Sequence, residues 1–398
     1  MKRWIIGALV LGAVTGCNMP SMKDGRADAH KRWDHARAQV LCQVGVEHLR
    51  VGQLDRACKK ALEALALNED YTPARVLLGK VCIEQGHYRA AAAELARAQV
   101  NAPNSDEIVY LLGVAQEKDG CLDEALASYR RAHSLNEANL AAVTAAAEVL
   151  VLMGRTREAQ LQLESYIHLA AEDPGVYELA GRLAMMQQEH AEAAKYYEQA
   201  ADLDPGNLRY REVLAQAQFA AGEHAKAAGT LKDLSQSNQY KAPAWVYTML
   251  GDCHMAMGRP IEARDAYQIA SQQSPESAGA WANLAKAALA LNDLPRAILS
   301  AKQALNLEAG RLDATLLLGY ALLRNGQVDG ALRLLPQAVA RYPDNGTLRC
   351  LLGRAHAAAG NEAEAAQCYA AALKLEPDNQ LAQALLAGPG PKRALLID

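Results

Sequence analysis

Alanine recurs at one position of a 34-residue period along most of the chain. The ten members are Ala57, Ala91, Ala125, Ala159, Ala193, Ala227, Ala263, Ala297, Ala331 and Ala365. Neighbouring members are 34 residues apart at every step except Ala227 to Ala263, where the step is 36. A strict period of this length indicates a stacked-repeat protein, because each unit is too small to bury its own apolar face.

Other small residues keep the same register. Twelve residues before each alanine the chain has Gly or Ala, and seven residues after it eight of the ten positions are Ala. In eight repeats the residue five positions before the alanine is Gly. Glycine readily adopts the left-handed conformation that ends a helix, so the first helix of each pair is expected to end here. Five repeats end at a proline, which stops a helix. We therefore expect antiparallel helix pairs packed at close range in an all-α fold, with no strand pattern to support α/β.

The repeat resembles the tetratricopeptide repeat, whose unit reads W-x2-L-G-x2-Y, then A-x3-F, then A-x4-P. The seventh copy has the matching residues Tyr247, Leu250, Gly251, His254, Ala263, Tyr267, Ala270 and Pro275. The copies lie at 38–71, 72–105, 106–139, 140–173, 174–207, 208–243, 244–277, 278–311, 312–345 and 346–379. The resemblance implies a right-handed superhelical solenoid of about ten helix-turn-helix repeats.

The sixth copy carries two extra residues in the stretch 235–243. The two extra residues have two possible interpretations. The insertion changes the local twist and divides repeats 1–6 (38–243) from repeats 7–10 (244–379), or it is a tolerated loop insertion. Beyond the repeats we expect a short capping helix at 380–387 and a disordered tail at 388–398, which begins with the sequence Gly-Pro-Gly-Pro.

The N-terminus has the pattern of a secretory signal. Lys2 and Arg3 precede an apolar stretch at 4–14, which is too short to span a bilayer as a mature helix. The small residues before Cys17 resemble a bacterial lipobox, which implies cleavage after residue 16, acylation of the Cys17 thiol and attachment to the membrane through acyl chains. An ordinary signal peptide or a retained anchor is the alternative. Residues 17–37 are expected to be a tether and the start of the first helix.

The residue after the cysteine bears on location. Asn18 follows Cys17, and by the enterobacterial sorting rule a residue other than Asp favours the outer membrane over the inner membrane. The expected location is therefore the cell envelope, lipid-anchored and facing the periplasm.

No catalytic motif is present in the sequence. It lacks H-E-x-x-H, G-x-S-x-G and the G-x-x-x-x-G-K-[ST] phosphate loop, so we expect no enzyme, no cofactor and no small-molecule substrate. The net charge of −4 argues against a nucleic-acid partner. The seven cysteines besides Cys17 cannot all pair and form no metal-ligand spacing, so disulfides stay open and a metal site is not expected. Cys42 and Cys350 are expected to face the inner groove.

The resemblance implies that positions 2, 5, 9, 12 and 13 of each first helix line a concave groove. Carried over to the middle of the array, these positions hold Glu178, Arg182, Met185, Met186, Arg209, Glu212, Gln216, Phe219, Trp245, Thr248, Asp252 and Met255. Apolar anchors beside charges suit a partner peptide or helix. The alternative is that Met185, Phe219 and Met255 only pack between neighbouring repeats.

The sequence therefore predicts a non-catalytic, lipid-anchored scaffold for protein–protein interaction. By similarity of architecture it resembles bacterial repeat lipoproteins that assist assembly of a pilus or a secretion complex. Two alternatives are an adaptor for exopolysaccharide export and a regulatory or recruiting subunit of an envelope hydrolase or protease.

Overall fold

A computed structural model of the chain describes residues 22–167, 172–238, 240–378 and 383. Within these residues the secondary structure consists of twenty α-helices, and no strand occurs. The chain divides into two compact units, 1–171 and 172–398. Cys17, the signal segment and the predicted tail lie outside the described residues, as does the predicted capping helix apart from Gln383.

The first unit contains eight helices. They are α1 (Met22–Arg50), α2 (Leu54–Leu67), α3 (Thr72–Glu84), α4 (Tyr88–Asn101), α5 (Asp106–Lys118), α6 (Leu122–Leu135), α7 (Leu140–Leu152) and α8 (Thr156–Tyr166). Each predicted repeat thus holds two helices, the first carrying an odd number and the second an even one.

The second unit contains twelve helices in the same alternation. They are α9 (Pro174–Met186), α10 (His190–Leu203), α11 (Leu208–Ala220), α12 (His224–Gln236), α13 (Ala244–Ala256), α14 (Pro260–Gln273), α15 (Ala278–Ala290), α16 (Leu294–Leu307), α17 (Leu312–Arg324), α18 (Val328–Arg341), α19 (Gly346–Ala358) and α20 (Glu362–Leu375). The predicted all-α solenoid of about ten helical hairpins is confirmed.

The small-residue columns are the places where paired helices touch. Every member of the alanine column is buried, with at most 1% of its surface exposed. A Cβ added to Gly251 in α13 would lie 2.4 Å from Cε1 of Tyr267 in α14. The same conflict, with Leu or Tyr of the second helix, recurs at Gly79, Gly113 and Gly353. The first helix must therefore be small at this position, because the second helix fills the space.

The turns between paired helices confirm the role of the glycine column. Its eight glycines all adopt positive φ, from 68° at Gly258 to 85° at Gly120. In the two repeats that lack the glycine, Gln188 and Asn292 adopt the same left-handed conformation, with φ of 61° and 58°. The turn geometry is therefore set by the hairpin, and glycine is the residue that adopts it without strain.

Two boundaries differ from those expected. Helix α1 already begins at Met22, so most of the segment 17–37 is helical rather than a tether. The core continues across the insertion at 235–243, where Ala227 and Leu231 of α12 pack in one cluster with Ala242 and Val246. The division between compact units lies after residue 171 instead.

Candidate protein-binding face

The twelve predicted groove residues lie on α9, α11 and α13, the first helices of three consecutive repeats in the second unit. Arg209 of α11 reaches Glu178 of α9, with 3.9 Å between Nη2 and Oε1. First helices of adjacent repeats are thus neighbours, and their outward residues form one surface. We call these twelve residues and the surface they share the first-helix face.

Four polar or flexible residues of the first-helix face are exposed to solvent. They are Arg182, Met186, Arg209 and Gln216. Met186 has 53% of its surface exposed, which is high for a large apolar side chain in a folded repeat. The face therefore offers an accessible methionine one turn from an exposed arginine on α9, a combination suited to an adaptable contact with another protein.

The other apolar members of the face are half-buried and pack within the solenoid. Met185 contacts the core of α9, α10 and α11, and Phe219 and Trp245 contact the core shared by α11, α12 and α13. Met255 packs with Trp281 against the core of α14 and α15. The packing role considered from the sequence for Met185, Phe219 and Met255 is thus present in the structure, and each also keeps part of its surface accessible.

Two carboxylates of the face accept hydrogen bonds from tyrosines, of which Tyr267 is buried and Tyr240 is half-buried. The Tyr267 hydroxyl donates to Oδ1 of Asp252 at 2.6 Å, and the Tyr240 hydroxyl donates to Glu212. Burial raises the pKa of Tyr267 above its usual value, and the hydrogen bond to Asp252 raises it further. Burial and the hydrogen bond to Glu212 raise the pKa of Tyr240 in the same way. These carboxylates therefore anchor tyrosines of their own repeats.

The Thr248 hydroxyl also makes its hydrogen bond within its own helix. Its Oγ1 donates to the carbonyl oxygen of Ala244 at 3.1 Å, one turn earlier in α13. The hydroxyl therefore contributes less to an outward hydrogen-bonding surface than its register position indicates.

The expectation that Cys42 and Cys350 face the groove is wrong. Cys42 has 5% of its surface exposed and Cys350 has none. Cys350 packs on Ala372 of α20, and burial raises its pKa to about 11. A short side chain at this position is covered by the second helix of its own repeat. The seven cysteines of the described residues are all unpaired, and Cys121 is exposed.

A cationic patch that the sequence analysis did not single out lies further along the second unit. The guanidinium carbons of Arg324 and Arg354 lie 5.7 and 5.6 Å from the ring centroid of Tyr320. Tyr320 and Arg324 belong to α17 and Arg354 to α19, so the patch spans two first helices. All three occupy positions 9 or 13 of their repeats, and the register that selected the middle repeats would have found them here as well.

The first unit has an apolar depression of its own at the same register. It is lined by Leu49, Arg50, Gly52, Leu54, Lys80, Ile83, Glu84, Tyr110, Leu111 and Val114. Lys80 of α3 bonds Glu107 of α5, with 2.7 Å between Nζ and Oε1. First helices are therefore neighbours in this unit too, and the register applied to the middle repeats locates this site from the sequence as well.

The described residues contain no group of three or more His, Cys, Asp or Glu side chains placed to hold a metal ion. None of their helices combines the length and the apolar character that crossing a bilayer requires.

Comparison with protein families identifies the repeat. A tetratricopeptide repeat model matches residues 76–138, 144–207, 248–314 and 316–380, and a second model of the same description matches 184–249. The chain belongs to the tetratricopeptide repeat family. This agrees with the helix pairs and small-residue contacts described above, and tetratricopeptide repeat (TPR) arrays are interaction scaffolds.

The curated relatives are longer proteins. The human protein O-mannosyl-transferase TMTC1 is 27% identical over 223 residues, covering 54% of this chain and 24% of that protein. A TPR repeat-containing protein of Treponema pallidum (strain Nichols) is 26% identical over 274 residues, covering 64% of this chain and 32% of that protein. The chain thus spans about a quarter to a third of the length of these relatives.

Solved structures match the repeat architecture. A tetratricopeptide repeat protein from Parabacteroides merdae matches with a TM-score of 0.41 and 19% identity, covering 63% of this chain and 98% of that one. YrrB, described as a TPR protein with an unusual peptide-binding site, matches with a TM-score of 0.36 and 18% identity, covering 57% and 98%.

Proposed function

We propose that this TPR protein is a non-catalytic scaffold that binds protein partners on the first-helix face and is anchored in a bacterial cell envelope by lipid at Cys17. The observation that carries the binding role is the exposure of Arg182, Met186, Arg209 and Gln216 on the first helices of two consecutive repeats. A continuous surface of this kind suits an extended peptide or a single helix.

The pathway assigned to the scaffold is assembly of a pilus or a secretion complex, with the protein facing the periplasm from the outer membrane. Support comes from the signal pattern, from Asn18 after Cys17 and from similarity of architecture to repeat lipoproteins. A lipid anchor would raise the effective concentration of the scaffold for membrane-bound partners.

Site-specific photocrosslinking tests the binding role in cells. We expect a photoreactive residue at Gln216 to capture a partner, and the same residue at Gln337, which is exposed on the second helix α18, to capture none. The double variant Met186→Ala and Arg209→Ala should lower capture at Gln216 by about tenfold or more. Unchanged capture in this variant would show that the partner binds elsewhere, and the captured protein identifies the pathway.

Metabolic labelling tests the anchor separately. Labelled palmitate should enter the wild-type protein and not the variant Cys17→Ser, and membrane fractionation should place the labelled protein with the outer membrane. Labelling of both proteins, or of neither, would remove the lipid anchor from the proposal and leave the binding role standing.

A further inference from the structure

The first helix exposes an apolar stripe that no other described helix leaves open in the same way. On α1, Trp33, Val40 and Val44 have 62%, 63% and 41% of their surfaces exposed, and Val51, in the turn directly after the helix, has 60%. The Val51 amide still donates to the carbonyl oxygen of Glu47 at 3.2 Å, so Val51 continues the last helical turn. Together with Arg37 and Glu47 these four residues are spaced alternately four and three residues apart. This is the heptad spacing by which one helix packs along another. We call these six residues the α1 seam.

The repeat register shows that this face is one that is normally covered. Val40 occupies position 3 of its repeat, and the equivalent residue is buried in all nine later repeats. Those residues are Ala74, Ile108, Ala142, Val176, Tyr210, Val246, Ala280, Ala314 and Leu348. Where the preceding repeat belongs to the same unit, its second helix covers this position, as Ala132 covers Ala142 and Ala304 covers Ala314. Within the described residues, no helix precedes α1 to cover Val40.

The opposite side of α1 holds it against the solenoid. Ala38, Cys42 and Gly45 are buried, and Cys42 packs in a cluster with residues of α2 and α3. His35 makes an edge contact with the Tyr71 ring, with 5.2 Å between centroids. Because this side fixes the rotation of the helix, the α1 seam points away from the repeats.

The α1 seam is complementary to itself when two copies run antiparallel. Centred on residue 42, such a pairing sets Val40 against Val44 of the other copy, Trp33 against Val51 and Arg37 against Glu47. Each residue then meets one whose number adds with its own to 84, so both apolar layers and both charged layers are matched. We propose that two copies of this chain form an antiparallel dimer through the α1 seam.

The charged layers select this arrangement over others. A parallel pair would place Arg37 against Arg37 and Glu47 against Glu47, and like charges facing each other across an interface are unfavourable. Among the residues that the structure describes, Glu47 pairs only with Arg50, where both side chains are largely exposed, and such a pair contributes little. Glu47 is therefore available to the partner copy. The valines and Trp33 provide the apolar area, and the Arg37–Glu47 layers set the register.

Charge reversal tests the dimer on the full chain in detergent micelles, by sedimentation velocity over a concentration series. We expect wild-type protein to be dimeric. Arg37→Glu and Glu47→Arg should each raise the dimer dissociation constant by about tenfold or more, because each creates two like-charge layers. The double variant should restore the dimer, and so should an equimolar mixture of the two single variants, which pairs opposite charges in both layers.

The matched control is Arg32→Glu. Arg32 is exposed on the same helix but projects from a different side of α1. Its replacement by Glu changes the charge by the same amount as Arg37→Glu. It should leave the dimer intact. A monomeric wild type, species larger than a dimer, or a dimer that neither single reversal weakens would overturn the proposal. A monomer that binds lipid vesicles less well after Arg37→Glu would assign the face to the membrane instead.

Discussion

At the scale of single residues, the fold depends on positions where a side chain would collide with the partner helix. Gly251 is the sharpest case, because the fully buried ring of Tyr267 lies against its Cα. The same pairing joins Gly113 to Tyr129, Gly181 to Tyr197 and Gly353 to Tyr369. The periodicity identified the columns, and the structure adds the aromatic ring that each of these four glycines accommodates.

Gly251→Ala is therefore expected to destabilise the protein by about 1–3 kcal/mol, although alanine favours helix over glycine. The control is Gly229→Ala in α12, where an added Cβ would contact nothing within 4 Å. That substitution should stabilise the protein by about 0.5–1 kcal/mol. Urea unfolding followed by circular dichroism compares the midpoints. Equal shifts in the two variants would contradict the close approach.

At the scale of elements, capping differs between the two helices of a repeat. A side chain at the N-cap accepts a backbone hydrogen bond at α5, α7, α9, α11, α15 and α19, which are all first helices. Of the described second helices only α16 has such a cap, from Asp293. First helices follow the loop between repeats, where Ser, Asn and Asp are frequent, and second helices follow a tight turn held by its own backbone bonds.

Asn345→Ala should lower stability by about 1 kcal/mol, because Oδ1 of Asn345 accepts from the Leu348 amide at 2.8 Å. Gln327 is at the N-cap of α18 and makes no such bond, so Gln327→Ala should change stability little. Thermal unfolding of both variants checks this. A loss at Gln327 as large as that at Asn345 would show that the side-chain bond is not what matters.

At the scale of the whole molecule, both units carry buried tyrosines whose ionisation opposes folding. Burial raises the pKa of Tyr197 and of Tyr369 to about 12, and it raises the pKa of Tyr129 and Tyr267 further. In an unfolded chain a tyrosine ionises near pH 10. The stabilisation by the neutral rings is therefore complete below about pH 10 and is lost as pH rises towards the folded pKa values.

We expect the protein to lose helicity between about pH 10 and 12, with each buried tyrosine contributing about 1.4 kcal/mol per pH unit. Tyr197→Phe should move the midpoint to higher pH, because phenylalanine cannot ionise. Circular dichroism and tyrosinate absorbance, recorded together, show whether the buried tyrosines ionise as the helices unfold. Ionisation of all the tyrosines near pH 10 with full helicity retained would contradict this account.

The periodic sequence by itself determined the repeat architecture. The alanine column, the glycine turns and the prolines are local signals repeated ten times, and each acts on the helix pair that contains it. The same register predicts Glu178, Arg182 and Arg209 on first helices of adjacent repeats, and the structure has them on α9 and α11. Periodicity can predict such placements because equivalent positions in a solenoid have equivalent neighbours.

Only the tertiary structure decided which residues at equivalent positions are accessible. Val40 and Ala74 share a register position, yet one is exposed and the other is buried, because only the second has a preceding helix to cover it. Cys350 has a groove register and is fully buried, whereas Met186 is open to solvent. Exposure depends on which element lies alongside and on how large the neighbouring side chains are. A one-dimensional pattern contains neither.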